Sequence, residues 1–451
     1  MAGEWCTARI EEVAERVAMG PFGSSIKVET FVPHGIPVIS GQHLHGSRLM
    51  DTDFNLVSLK HAEKLKNANV YRGDVVFTHA GNIGQVAFIP ASSRYERYVI
   101  SQRQFYLRPN LRKVLPEFIA YYFTSAEGQH KLLANTSSSG VPSIAQPVSY
   151  LRTIEIPLPP LSEQRTIANI LGTIDDKIEL NRRMNETLEA MAQAIFKSWF
   201  VDFDPVRAKS EGRDPGLPQF IADLFPDSFE DSELGEIPKG WTVGSVDDEF
   251  NLTMGQSPPG ETYNEVGEGL PFYQGRADFS FRFPIRRVYC TASTRFARAG
   301  DTLVSVRAPV GGINMASEDC AIGRGVAAAR HKTGSRSYSH QFMLSIKEVF
   351  ARFEAEGTVF GSIGKKDFHA IPCVMPPREF VLAYEAHVSP LDDRIEVNER
   401  ESRTLAAIRD TLLPKLISGE LRMKDAVKGK VKVYQFRELK SVPPIPLAVV
   451  I

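Results

Sequence analysis

The sequence predicts a mixed α/β (α+β) protein built twice over: two globular lobes related by a pseudo-two-fold, joined by two long helices that form an antiparallel coiled coil. Three observations carry this expectation. The segment TIDDKIELN at residues 173–181 returns as PLDDRIEVN at residues 390–398, with 217 residues between the aligned aspartates (392 − 175). An apolar seam with heptad spacing runs through both copies, the pattern of helices that pack along their length. Ahead of each copy lies a stretch of short β-branched runs and Gly-containing turns in the same order. A whole unit, rather than one helix, has therefore been duplicated.

Lobe one is expected over 1–158 and lobe two over 240–375. Trp5 leads to Met19-Gly20, and Trp241 leads to Met254-Gly255 at nearly the same distance. GIPVISG at 35–41 answers GLPFYQG at 269–275, and YRGDVVFTHAGNIG at 71–84 answers RAGDTLVSVRAPVG at 298–311. GDVVFT, GDTLVSV, QFYLRP and YVIS read as strands, the first two opened by a Gly-Asp turn. Helical patterns occupy 116–134 and 339–356. The tips THAGN and VRAPVG fall between strands, where specificity residues usually sit.

A proline pair closes each lobe, in IEIPLPP at 154–160 and IPCVMPP at 371–377. The spacer helices then follow over 159–200 and 376–419. With Ser162 as the expected N-cap, Ile167, Ile174, Asn181, Leu188 and Ile195 hold one seam position of the first helix. Tyr384, Leu391, Asn398, Leu405 and Leu412 hold it in the second. Both copies thus set an Asn, Asn181 and Asn398, in an apolar seam, where such a residue fixes register or partner orientation. About 34 helical residues span roughly 50 Å. Pro390 is expected to kink or restart the second helix. Asp175-Asp176 and Asp392-Asp393 read as a solvated face. Residues 201–239, rich in Pro, Gly and charge, read as a mobile acidic linker, and 420–451 as a loosely ordered tail.

The chain has 451 residues, 43% hydrophobic and 24% charged, enough for two sizeable cores. No apolar run approaches the roughly 20 residues of a membrane span. With no opening signal pattern and four scattered cysteines, a cytoplasmic protein with reduced thiols is expected. The 53 basic and 54 acidic residues nearly cancel, but they are unevenly placed. Residues 270–340 carry a surplus of about seven positive charges and 15–115 of about six, whereas 201–249 is acidic by about nine. Two basic lobes suit a polyanion. Chemistry is another matter: the sequence holds no phosphate loop, no HExxH, no GxSxG and no Asn-Pro-Pro-aromatic element. His43 and His45 lack visible partners for a metal. The chain is expected to bind rather than catalyse.

The order lobe, IPLPPLSEQRTIANILGTIDDKIELN, lobe, IPCVMPP, LDDRIEVN, LLPKLISGEL resembles the DNA specificity subunit of type I restriction-modification systems over roughly residues 5–425. The second copy has Arg378-Glu379-Phe380-Val381 where the first has Leu161-Ser162-Glu163-Gln164, so part of its contact surface is expected to differ. The resemblance implies two target recognition domains, each reading half of a split, asymmetric site in double-stranded DNA, with helix length fixing their separation. It implies two modification subunits, which use S-adenosylmethionine to methylate adenine, and restriction subunits, which use ATP and magnesium. The chain itself would bind no cofactor. Because Arg matches guanine edges and Asn or Gln matches adenine edges, the expected DNA-reading residues are Gln42, His43, His79, Asn82, Gln102 and Arg103 in lobe one. In lobe two they are Gln274, Arg276, Arg307, Asn314 and Arg324, with Ser362, Lys365 and Lys366 on phosphates. Two other classes compete. A nuclease would need a metal-carboxylate cluster that the sequence does not assemble, and a coiled-coil protein scaffold would show no salt-sensitive DNA affinity.

Overall fold

The computed structural model describes residues 5–23, 25–137, 140–355 and 361–422. It divides into two compact units, the first formed from the described residues up to 180 together with 401–422, the second from those of 181–400.

In the first unit a four-stranded antiparallel sheet has the spatial order Ala14–Met19, Gln104–Pro109, Val75–Thr78, Val86–Phe88. A five-stranded sheet has the order Phe31–Val32, Leu56–Val57, Ile36–Ile39, Arg97–Ile100, Asn69–Tyr71, with one parallel pairing of Val38-Ile39 to Val99-Ile100. Cys6–Arg9 pairs with Glu155–Leu158 beside the start of the long helix. The second unit repeats this plan. Its four-stranded sheet runs Phe250–Met254, Val326–His331, Thr302–Ser305, Ile313–Met315. Its five-stranded sheet runs Tyr263–Asn264, Tyr289–Cys290, Leu270–Tyr273, Cys320–Ile322, Phe296–Ala297, again with one parallel pairing. Thr242–Ser245 pairs with Pro372–Met375. The offset between equivalent strands falls from 236 at the first (242 − 6) to 217 at the last (372 − 155). Lobe two is therefore shorter by 19 residues net, most of them between equivalent strands.

The same local devices hold both four-stranded sheets. Gly73 and Gly300 take φ of +88° and +84° to open a turn that a side chain would strain. The aspartate that follows caps the turn: Asp74 accepts from Tyr71 N at 2.8 Å, and Asp301 accepts from Arg298 N at 2.8 Å. Each aspartate then pairs with an arginine on the neighbouring strand, Arg108 at 2.7 Å and Arg330 at 2.5 Å. Between these turns and the tips run VVFT and TLVS, buried along their whole length.

Each long helix is a single element of 40 residues, Leu161–Phe200 and Arg378–Ile417, about 60 Å of rise. The first begins at Leu161, one residue before the expected cap, because the Pro160 carbonyl already accepts from Glu163 N and Gln164 N. The second runs through Pro390 without a break. In the first unit Ile167 and Leu171 share a core with Leu413, Leu416 and Ile417 and with Phe77, Phe105 and Phe118 of the lobe. Asp175 meets Arg409 and Lys177 meets Glu401 there, an antiparallel register. In the second unit Phe196, Trp199 and Phe200 pack with Tyr384 and Val388 and with Tyr338 and Phe342 of the lobe. Tyr384 OH donates to the Ala192 carbonyl at 3.0 Å, and Asn181 meets Asn398, again antiparallel.

Pro390 therefore does not kink or restart the helix, and four further expectations change. Residues 201–239 are not a loose linker: helices Asp204–Ser210 and Gln219–Ala222 and the hairpin Phe229–Ser232/Gly235–Pro238 bury Phe203, Val206, Ile221, Phe225 and Ile237 in the second core. The helix expected over 116–134 is split at Ser125, whose extended backbone ends one helix and whose hydroxyl caps the next by accepting from Gly128 N. The stretch over 339–356 is likewise two helices, Arg336–Ser345 and Lys347–Ala355. Asp175 and Asp392 are not on a solvated face. Asp175 accepts from Ser47 Oγ at 3.1 Å and Tyr121 OH at 2.9 Å, and Asp392 lies 3.0 Å from the buried Arg282. Their neighbours Asp176 and Asp393 are exposed and pair with Arg48 and Arg336. The tail from residue 423 onward lies outside the described residues.

Where the second copy departs from the first after its prolines, the helix-to-lobe contact is rebuilt. Glu163 accepts from Trp5 Nε1 at 2.8 Å; the equivalent Phe380 packs edge-on against Trp241 at 5.1 Å. Gln164, fully buried, accepts from Leu115 N and donates to the Lys113 and Pro159 carbonyls. Val381 stands in its place in the second core, and Glu385, one turn on, takes over the docking through the amides of Arg336, Ser337 and Tyr338.

Candidate nucleic-acid interface

In each lobe the strand ends deliver four loops to one place. In lobe one the loop after Ile36–Ile39 is held by Gln85 Nε2, which donates to the Gly41 carbonyl at 3.0 Å. The loop after Val75–Thr78 joins the 101–104 turn through His79 N and the Arg103 carbonyl, 2.9 Å apart. It is tied to 141–144 by Gly81 N to Pro142 O and Ile144 N to His79 O. Gly20 closes the cluster, since its amide donates to the Gln104 carbonyl and a Cβ there would stand 2.1 Å from the Ser101 carbonyl oxygen. Only glycine allows that approach.

Lobe two repeats the backbone part of this knitting. Val306 N donates to Gly325 O, Ile363 N to Val306 O, and Gly255 N to Val326 O. A Cβ on Gly255 would stand 2.1 Å from the Gly323 carbonyl oxygen. Here the tips enclose a hollow of about 410 Å³, lined by Gln274, Arg276, Arg307 and Arg324 and by the paired Asp278 and Arg287. Arg276, Arg307 and Arg324 are exposed and form no ion pair with any described residue. Three unneutralised guanidinium groups around one hollow present five donors each in a planar arrangement suited to base edges or phosphates.

The expected residues sort themselves on this framework. Gln42, Asn82, Gln102 and Arg103 lie on the lobe-one tips, all four exposed. Gln274, Arg276, Arg307 and Arg324 lie on the lobe-two tips, and Ser362 joins them through a one-residue bridge to Arg307. His79 is at the tips but its ring is engaged: Nε2 faces the Gln102 carbonyl at 3.1 Å and must carry the proton, while burial lowers its pKa. Lys365 and Lys366 open a short helix and line a separate hollow with Asp247 and His369.

Two of the expected residues do not reach the surface. His43 is buried and stacks on Phe54 at 4.5 Å; its Nδ1 accepts from Ser40 N and its Nε2 faces the Asp53 carbonyl. Burial lowers its pKa, so a neutral ring serves as a loop brace. Asn314 belongs to the strand Ile313–Met315, points inward and donates to the Ser280 carbonyl at 3.0 Å. Among the described residues no group of three or more His, Cys, Asp or Glu is placed to hold a metal, and no helix is long and apolar enough to cross a membrane.

The seam asparagines are part of a larger cluster. Asn398 Nδ2 donates to Asn185 Oδ1 at 2.8 Å, Asn185 Nδ2 donates to Glu399 Oε1 at 3.0 Å, and Asn181 Nδ2 reaches the Asn398 carbonyl at 3.4 Å. Sequence reasoning missed Asn185, which sits one turn beyond Asn181 and off the heptad position used to find it. Within the second unit this cluster joins the two helices through hydrogen bonds.

Comparison with known proteins agrees with this architecture. The family described as the type I restriction modification DNA specificity domain matches residues 3–190. A specificity subunit assigned to the type I restriction enzyme MjaX of Methanocaldococcus jannaschii is 30% identical over 387 residues, covering 83% of this chain and 86% of the relative. The type I restriction enzyme HindI specificity subunit of Haemophilus influenzae is 26% identical over 418 residues, covering 78% of this chain and 87% of the relative. The crystal structure of a type I restriction-modification S subunit from M. genitalium superposes with a TM-score of 0.58 at 16% identity, covering 92% of this chain and 97% of that one. At that identity the likeness bears on the fold.

Proposed function

Because the chain belongs to the family of type I restriction-modification DNA specificity subunits, which are non-catalytic, we propose that each lobe reads one half of a split double-stranded DNA site and that the two half-sites differ. One observation supports this most: the same loop cluster stands at the same strand ends in both lobes, with different polar side chains on its tips. One framework with two sets of tips suits two readings of unlike sequence. Phosphate contacts from exposed Lys and Arg would set the register on the duplex, and the tips would discriminate bases.

The partners follow from this role. Two modification subunits would bring S-adenosylmethionine and methylate adenine, and restriction subunits would bring ATP, magnesium and cleavage, with the chain binding none of these itself. The assembly would act in the cytoplasm, where its DNA lies. Alone, the chain should bind DNA weakly and with strong salt dependence.

The test is co-expression of the chain with a modification subunit from the same source, followed by single-molecule mapping of methylated adenines with and without the chain. A split motif that appears only in its presence is expected. A stable complex that adds no methylation anywhere would refute the proposal.

A further inference from the structure

The shared strand plan lets the tips of the two lobes be compared position by position. Gln42 and Arg276 each follow the glycine just beyond the equivalent strands Ile36–Ile39 and Leu270–Tyr273. Ala80 and Arg307 each make the one-residue antiparallel bridge, to Ser143 and Ser362. Gln102 and Arg324 each occupy the second position of the turn closed by Gln104 N to Ser101 O, or by Val326 N to Gly323 O. At three equivalent positions lobe one therefore has Gln, Ala and Gln, and lobe two has Arg each time. At the next position the order reverses, with Arg103 opposite Gly325.

Charge alone does not account for this choice. A surface that only followed the phosphate backbone would be served equally by lysine, a point charge, whereas the planar guanidinium adds a two-donor match to guanine O6 and N7. The carboxamide of Gln matches adenine N7 and N6. In lobe two the three arginines line one hollow and no described carboxylate neutralises them, while Arg287 in the same hollow is held by Asp278.

We propose that lobe two reads the guanine-rich half-site, with Arg276, Arg307 and Arg324 as its guanine-reading residues, and that lobe one reads adenine through Gln42 and Gln102 and guanine through Arg103. This rests on the half-site reading above and adds base identity to it.

The experiment uses the chain assembled with its modification subunits and a plasmid library carrying random inserts, mapped for methylated adenine. The wild type is compared with Arg324→Gln, Arg307→Gln and Gln102→Arg, all exposed positions at which substitution leaves both cores intact. The wild type should require guanines in one half-site. Arg324→Gln and Arg307→Gln should each lower methylation of sites keeping one of those guanines by about ten- to a hundredfold, with the other half-site unchanged. Gln102→Arg should alter only the opposite half-site. If the half-site altered by the arginine variants requires no guanine, the inference is wrong. It is equally wrong if Arg324→Gln weakens methylation at every sequence alike and flattens the salt dependence, the behaviour of a phosphate contact. A wild-type complex that yields no split motif would instead remove the half-site reading on which the inference stands.

Discussion

Glu385 carries the docking of lobe two onto the second long helix, and its removal has a calculable cost. Its carboxylate accepts from Ser337 N at 2.9 Å, Arg336 N at 3.2 Å and Tyr338 N at 3.3 Å, the amides that open the helix Arg336–Ser345. Those amides have no partner inside their own helix. Hydrogen bonds to a charged group contribute about 1.5–3 kcal/mol each, but here three share two oxygens and the charge is half-buried. Loss of a side-chain cap costs about 0.5–2 kcal/mol, so Glu385→Ala is expected to cost about 2 kcal/mol. Glu385→Gln, which keeps one acceptor oxygen, should lose about half of that. Hydrogen exchange at residues 336–338 should quicken about thirtyfold in Glu385→Ala, since each 1.4 kcal/mol is tenfold. Burial, ahead of the three amides that oppose it, holds the Glu385 carboxyl above its ordinary value of 4.5. A carboxyl raised in the fold contributes stability that is present below 4.5 and lost as pH rises through the raised value. The wild type should therefore gain on Glu385→Gln as pH falls from 7 toward 4.5. Unchanged exchange at 336–338 in Glu385→Ala would show that the contact does not cap the helix.

The asparagine cluster and the duplicated ion pairs give two further predictions. Asn398→Leu should destabilise the second unit by about 1–3 kcal/mol, because Asn185 loses its buried donor; in urea titrations Asn185→Leu/Asn398→Leu should recover most of that loss, and strict additivity would contradict the pairing. Asp74→Ala and Asp301→Ala each strand a paired arginine and one turn amide, so each should cost about 3 kcal/mol. Each should also loosen only its own lobe, read as increased amide exchange in the strands Gln104–Pro109 or Val326–His331 respectively.

What the sequence revealed and what it hid follow from the range of the interactions. The repeat, the strand pairs and the helix seams were legible because they rest on local spacing: Gly-Asp turns, β-branched runs and heptads. Loop tips were legible for the same reason, since both ends of each tip were fixed by paired strands. Side-chain direction was not. Asn314 alternates inward on a short strand, and His43 turns under its loop onto Phe54, choices set by partners far along the chain. The two aspartates were misread likewise, because the half-buried Asp175 is engaged by Ser47 and Tyr121 and the buried Asp392 by Arg282, none of them visible from the helix itself. Residues 201–239 hid a folded element because their apolar anchors, Phe203, Val206, Ile221, Phe225 and Ile237, are scattered singly among charges.

The distribution of sameness between the lobes carries a physical argument of its own. The repeated residues are those whose loss would deform backbone: Gly20 and Gly255 where a Cβ cannot fit, Gly73 and Gly300 at positive φ, Asp74 and Asp301 beneath the turn. Between these fixed points the exposed tip side chains make few contacts that stability depends on, and surface substitutions of this kind usually change stability by less than about 0.5 kcal/mol. Gln can thus stand at 102 and Arg at the equivalent 324 on one unchanged turn. A framework so constrained beneath and so free at its tips can take new tip side chains without refolding, and the long helices, bonded to each other through Asn398 and Asn185, need not change with it.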